Sequence, residues 1–133
     1  KSVTYVSRLI CNLCLDWTPG TGYGFAEAVA MLENFRAYQN SVTFYHDCEQ
    51  LKCAKHLRDQ LNRAASSISL NLSEGSSQST AANRRRFYYM ALGSTRECQT
   101  ILELAKVSKE SNLSKRLDQL AAQIYKLCKN QKS

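Results

Sequence analysis

The densest run of charge in the sequence is Arg84-Arg85-Arg86. Guanidinium groups bind phosphates through paired, parallel hydrogen bonds, so an arginine triplet is chemistry suited to a polyanion. On a helix, consecutive side chains point about 100° apart. Three guanidiniums therefore fan around the axis and cannot all serve one partner within the chain. Three cations near a helix N-terminus also oppose the helix dipole unless an anion lies close. Two readings of the triplet stand: a phosphate-binding patch, or a solvated face that bridges subunits. Phe87, Tyr88 and Tyr89 follow directly. One of these rings must point outward and is available to stack on a base, with core or inter-subunit packing as the competing use.

Two more cation ridges repeat at helical spacing. Lys126, Lys129 and Lys132 end the last helical segment, where the dipole favours positive charge, and Lys52, Lys55 and Arg58 open an earlier one. In an antiparallel bundle the two ridges are expected to lie near each other. The nucleic-acid-binding candidates are therefore Arg84, Arg85, Arg86, Lys55, Arg58, Lys126 and Lys129. His46, Cys48, Cys53 and His56, with Cys11-x-x-Cys14 upstream, are ligand types for zinc. Their spacing across a helix boundary argues against a site, and the two histidines read as surface groups at the first interhelical loop. Gly-rich phosphate loops, the Gly-x-Ser-x-Gly elbow and Ser/His/Asp sets are absent from the sequence. The expectation is a protein with no catalytic residues, metal, cofactor or small-molecule substrate.

The elements that must position these residues are helical. Phe35, Tyr38, Val42 and Tyr45 mark one face of a helix from about Leu32 to Cys48. Leu57, Leu61, Ala64, Ala65, Ile68 and Leu72 mark a second, from about Cys53 to Ser73, with Gly75 as its terminator. Ser79 or Thr80 caps a third that runs to about Lys109 on Phe87, Tyr88, Ala91, Leu92, Thr95, Cys98, Leu102 and Ala105. Gly93, in the middle of that helix, costs about 1 kcal/mol relative to Ala and so is expected to serve close packing. After Asn112, Leu113, Leu117, Leu120, Ala121, Ile124, Leu127 and Cys128 mark a fourth. Four amphipathic helices with short loops predict an all-α fold, an antiparallel up-down-up-down four-helix bundle.

With 133 residues and a single Pro, the composition is that of one globular domain. Residues 1–30 hold that Pro, the only Trp and a turn-rich run, Trp17-Thr-Pro-Gly-Thr-Gly-Tyr-Gly24, whereas Met31 immediately precedes the first helical pattern. The division expected is an N-terminal extension, 1–30, and a bundle domain, 31–133, with Met31 a candidate natural start. The net charge of +7 resides wholly in residues 31–133. Such an excess attracts nucleic acid or an anionic membrane surface, or simply confers solubility. A membrane span is excluded because no run of about 18 apolar residues occurs. Arg8 and Asn12 interrupt what would be a signal-peptide core, so the six cysteines are expected as reduced thiols in a cytoplasmic protein.

The stretches Arg63-Ala-Ala-Ser-Ser-Ile-Ser-Leu-Asn-Leu-Ser-Glu-Gly75 and Phe87-Tyr-Tyr-Met-Ala-Leu-Gly-Ser-Thr-Arg-Glu97 resemble the 23S rRNA intervening-sequence protein family of bacterial four-helix bundles. The specific part is Asn71-x-x-Glu74-Gly75 with Ala91-x-Gly93-Ser94-x-x-Glu97, and the resemblance covers roughly 31–130. It implies a homopentameric ring and an association with ribosomal RNA. Ser69 stands where the family usually has Pro, which permits a more continuous second helix, and Ser77 and Gln78 replace an often basic loop. Arg63, Asn71, Glu74, Ser94 and Glu97 are expected to form a structural polar network across the second and third helices or at the ring interface, with Gly75 and Gly93 as close-packing positions.

Charge and resemblance together lead to a non-enzymatic basic bundle that binds structured RNA, or other nucleic acid, through an oligomeric basic rim. In a ring of five the charge would reach about +35, turning weak single contacts into avid binding. The alternative is an oligomeric scaffold or adaptor for a protein partner, with no nucleic-acid role.

Overall fold

The computed structural model describes residues 31–131, so the readings on residues 1–30 and on Lys132 lie outside the described residues. The described residues are all-α. Four long helices run α1 Arg36–Glu49, α2 Lys55–Ser77, α3 Ala81–Leu104 and α4 Asn112–Asn130. Only α3 and α4 carry side-chain N-caps: Thr80 Oγ1 accepts from Asn83 N–H and Ser111 Oγ from Ser114 N–H, both at 3.2 Å.

Three boundaries differ from those expected. Asn34 and Phe35 interrupt the helical chain ahead of α1, which starts at Arg36 instead of near Leu32. Gly75 does not end α2, which runs on to Ser77 and keeps its course through Ser69. The α3 helix stops at Leu104, well short of Lys109, because Lys106 adopts φ 56°. Lys106 N–H then donates to Glu103 O at 3.0 Å and Val107 N–H to Leu102 O at 2.9 Å, the paired bonds of a Schellman stop. Val107 packs against the core, so an apolar contact holds the reversal that a lysine would not choose alone.

The helices bury their stripes on one another. Leu61, Ala64, Ala65, Ile68 and Leu72 of α2 meet Tyr88, Ala91, Cys98, Ile101 and Leu102 of α3, and Leu117, Leu120, Ile124 and Cys128 of α4 complete the core with Phe44 and Cys48. The face of α1 is rotated from the expected one. Ala37, Ser41, Phe44 and Cys48 are buried, whereas Phe35, Tyr38 and Tyr45 sit at the margin. Tyrosines favour the margin, where the ring is covered and the hydroxyl stays wet. Ser41 is tolerated inside because its hydroxyl donates to Tyr38 O at 2.6 Å and shares a 2.8 Å hydrogen bond with Ser69.

Each helix packs on two others: α1 on α2 and α4, and α3 on α2 and α4, with α2 against α3 the most extensive contact. Residue numbers rise along one helix as they fall along its neighbour. Ser67 meets Ser94 and Gly75 meets Tyr88 across α2 and α3. Gln99 meets Asp118 and Arg84 meets Gln131 across α3 and α4. Asn40 meets Gln123 and Asp47 meets Arg116 across α1 and α4. The last of these is an ion pair at 2.7 Å whose Nε–H is not aimed along the contact.

Candidate nucleic-acid interface

The three arginines take three different roles. Arg84 is half-buried and bonded within the chain. Its Nε donates to Gln131 Oε1 at 2.9 Å, and one terminal nitrogen donates to Gln78 O at 2.9 Å and Ser79 O at 3.3 Å. Its charge thus lies against the carbonyls at the end of α2, where a cation is favoured. It also ties the first turns of α3 to the end of α4. Arg85 and Arg86 are exposed, with the Arg85 guanidinium 5.5 Å from the centre of the Tyr89 ring.

Beneath them Tyr88 is buried and stacks at a tilt on Phe35, centroids 6.2 Å apart. Burial pushes its hydroxyl pKa up, and Arg84 partly offsets this. Of the aromatic trio, Phe87 is half-buried, Tyr88 is core, and Tyr89 points outward with 39% of its surface exposed. On α4 the same pairing recurs. Lys129 Nζ lies 5.4 Å from the centre of the Tyr125 ring, and Tyr125 is 51% exposed. Burial raises the Cys128 thiol pKa, while Arg85 and Lys129 pull it down. Arg85 of α3 therefore acts across the seam on a thiol of α4, with Lys129 beside that thiol on its own helix. Together with exposed Arg86 and Lys126 they make one basic, aromatic end.

Lys55 and Arg58 are not part of it. Asp47 near the end of α1 pairs with Arg116 in the first turns of α4, and the short 50–54 connection starts α2 at that same end. From Arg116 the end of α4 is some 14 residues away, about 21 Å of helix. The expected approach of the second ridge to the C-terminus of α4 is thus corrected: the start of α2 faces the start of α4.

Within the chain the expected polar network across α2 and α3 is also redrawn. Ser67 is its centre: Asn71 Nδ2 donates to Ser67 O at 2.9 Å and Oγ at 3.1 Å, and the Ser94 hydroxyl donates to Ser67 Oγ at 3.0 Å. Arg63, Glu74 and Glu97 are exposed and stand outside it, with the Glu74 carboxylate accepting from Gln78 Nε2 at 3.0 Å. Short side chains reach across the α2–α3 seam, whereas long charged ones turn to water. Gly75 is buried under Tyr88: a Cβ there would lie 2.7 Å from Tyr88 Cε1 and 3.1 Å from Phe87 Cβ. Gly93 is the opposite. A Cβ there meets nothing within 4 Å, so within the chain it serves no close contact.

The thiols of Cys48, Cys98 and Cys128 are core groups, whereas Cys53 is half-buried. Burial raises the pKa of Cys98 to about 12, with Glu97 adding to the shift, and raises that of Cys48 further, with Cys98 and Asp47 adding to it. Exposed His46 pairs with Glu49 at 3.0 Å. Among the described residues no three His, Cys, Asp or Glu side chains converge to hold a metal ion. Sequence reasoning missed Ser67, Gln131 and the Tyr125–Lys129 pair. The last was legible as a four-residue spacing, which brings side chains together on a helix.

The family model of the 23S rRNA-intervening sequence proteins matches residues 33–133. The chain belongs to this family. The match spans all four helices, both exposed tyrosines and every nucleic-acid-binding candidate. The family's name refers to a sequence intervening in 23S rRNA and denotes no reaction. No curated protein matches the chain. Among the described residues no helix is long and apolar enough to cross a membrane.

Proposed function

We propose that this family member is a non-enzymatic protein of the cytoplasm that binds structured RNA, or other nucleic acid, through phosphate contacts at the basic end. The observation that carries the reading is the exposure of Arg85, Arg86, Lys126 and Lys129 at one end, none of them in an ion pair among the described residues. Phosphates would supply the missing counter-charge. The family name is compatible with RNA association.

The working unit in this reading is residues 31–133, folded as an antiparallel up-down-up-down bundle and assembled as a homopentamer. The opposed numbering across three helix pairs supports the topology. Assembly is supported by the outer face of α2 and α3, where Leu70 is 68% and Met90 48% exposed beside the open backbone of Gly93. Apolar side chains grouped in this way mark a contact surface.

The test is fluorescence anisotropy of labelled hairpin RNA and duplex DNA against the full chain over a salt series. Binding should weaken steeply with salt, and replacing Arg85, Arg86, Lys126 and Lys129 by Ala should flatten the slope by roughly one unit per lost phosphate contact. Arg84→Ala should lower stability by about 1–2 kcal/mol through its lost hydrogen bonds and leave the salt slope nearly unchanged. Absence of binding near 150 mM salt would leave the oligomeric scaffold for a protein partner as the better account.

A further inference from the structure

Among the described residues Tyr89 and Tyr125 are tyrosine rings left at the surface, whereas Phe35, Tyr38, Phe44, Tyr45 and Tyr88 lie in or against the core. Each carries a cation of its own helix against it, four residues away: Arg85 at 5.5 Å and Lys129 at 5.4 Å from the ring centres. The two units lie at the same end, because Arg84 and Gln131 join the start of α3 to the end of α4. On α4, positions 118, 122, 125 and 129 fall within about 60° of one another. Asp118 on this strip receives a hydrogen bond from Gln99 of α3, so the strip adjoins α3. Arg85, Arg96 and Gln99 share the adjoining flank of α3 by the same arithmetic, with Tyr89 at its outer margin.

We propose that this α3–α4 flank is a stacking platform for unpaired nucleotides, with bases on the Tyr89 and Tyr125 rings and the strand's phosphates on Arg85 and Lys129. The inference rests on the nucleic-acid reading and narrows it from phosphate contact to single-stranded segments. A duplex offers phosphates but hides its base faces, so it would use the cations and waste the rings. Single-stranded sites elsewhere combine a positive track with aromatic rings in this manner, and they tolerate many sequences because every base has a π-face. A guanidinium or ammonium held against one face of a ring leaves the other available, and it already stands where a phosphate beside the base would need it.

The test uses the full chain at about 150 mM salt. Anisotropy is measured with a labelled single-stranded RNA of mixed sequence and with a blunt RNA duplex of equal phosphate number. The single strand should bind more tightly. Tyr89→Ala and Tyr125→Ala should each weaken it roughly 5- to 100-fold while duplex binding stays within about twofold. Tyr89→Phe and Tyr125→Phe, which keep the π-face, should restore binding to near the wild-type value. Photocrosslinking of bromouridine-substituted single strands to the unaltered chain should map to the peptides holding Tyr89 and Tyr125. Equal loss on both ligands, no loss from either Ala variant, or crosslinks confined to other peptides would overturn the platform while the phosphate-binding reading survives. Absence of binding by either RNA would overturn both.

Discussion

Gly75 and Gly93 lie on neighbouring helices and make opposite demands. At Gly75 a methyl group would press into the ring of buried Tyr88, 2.7 Å away. Gly75→Ala should therefore destabilise the fold by about 1–2 kcal/mol, overpacking outweighing the better helix propensity of Ala. Gly93 is exposed with open space beside it, so Gly93→Ala should stabilise an isolated protomer by about 0.5–1 kcal/mol. Urea melts of the two variants check the signs. Only the type of residue was visible in advance. Both glycines read as close-packing positions, and the distinction depends on which helix face meets a neighbour. The same holds for the arginines: that they must diverge follows from helix geometry, but which one is drawn inward depends on where the last carbonyls of α2 lie.

At the scale of elements, the cores of the helices were legible because apolar spacing is a local property, while their ends were not. Gly75 resembled a terminator and instead continues the helix, whereas Lys106 resembled helix interior and instead reverses the chain at φ 56°. An L-residue in that conformation costs energy that glycine avoids. Lys106→Gly should stabilise the protein by roughly 1 kcal/mol, read as a raised urea midpoint with an unchanged m-value. A loss of stability would mean that the Lys106 side chain makes a contribution beyond the turn. The face of α1 was misplaced for a related reason. Phe35, Tyr38, Val42 and Tyr45 mark the face expected from spacing, but a neighbouring serine, Ser69, allows Ser41 to be buried instead.

For the whole molecule, the buried thiols set a pH limit. The pKa values of Cys98, Cys48 and Cys128 are all raised above the ordinary thiol value of 9.0 in the folded state, chiefly by burial. Above about pH 9 the unfolded chain loses these protons while the folded chain keeps them, so stability falls as pH rises. For Cys98 the fall continues until about pH 12. Each such thiol can contribute up to about 1.4 kcal/mol per pH unit within its window. Denaturant midpoints at pH 7, 9 and 10 should decline, and Cys98→Ala, although less stable at pH 7, should decline less steeply. An identical slope in the variant would show that other groups, Tyr88 among them, govern alkaline unfolding.

By itself, the sequence determined what its local pattern controls. The 3.6-residue apolar period dictates four amphipathic helices, the charge balance dictates a basic molecule, and the motifs around Gly75 and Gly93 point to the family. Tertiary structure alone decided which charges cooperate. Arg84 is withdrawn into a clamp, Lys55 and Arg58 lie at the far end from Arg85 and Lys129, and Ser67 takes the central place expected for the carboxylates. The reason is physical. A side chain's helix and its face are set within a few residues, but its partners are set by the direction in which neighbouring helices pass and by the depth at which each stripe meets the next.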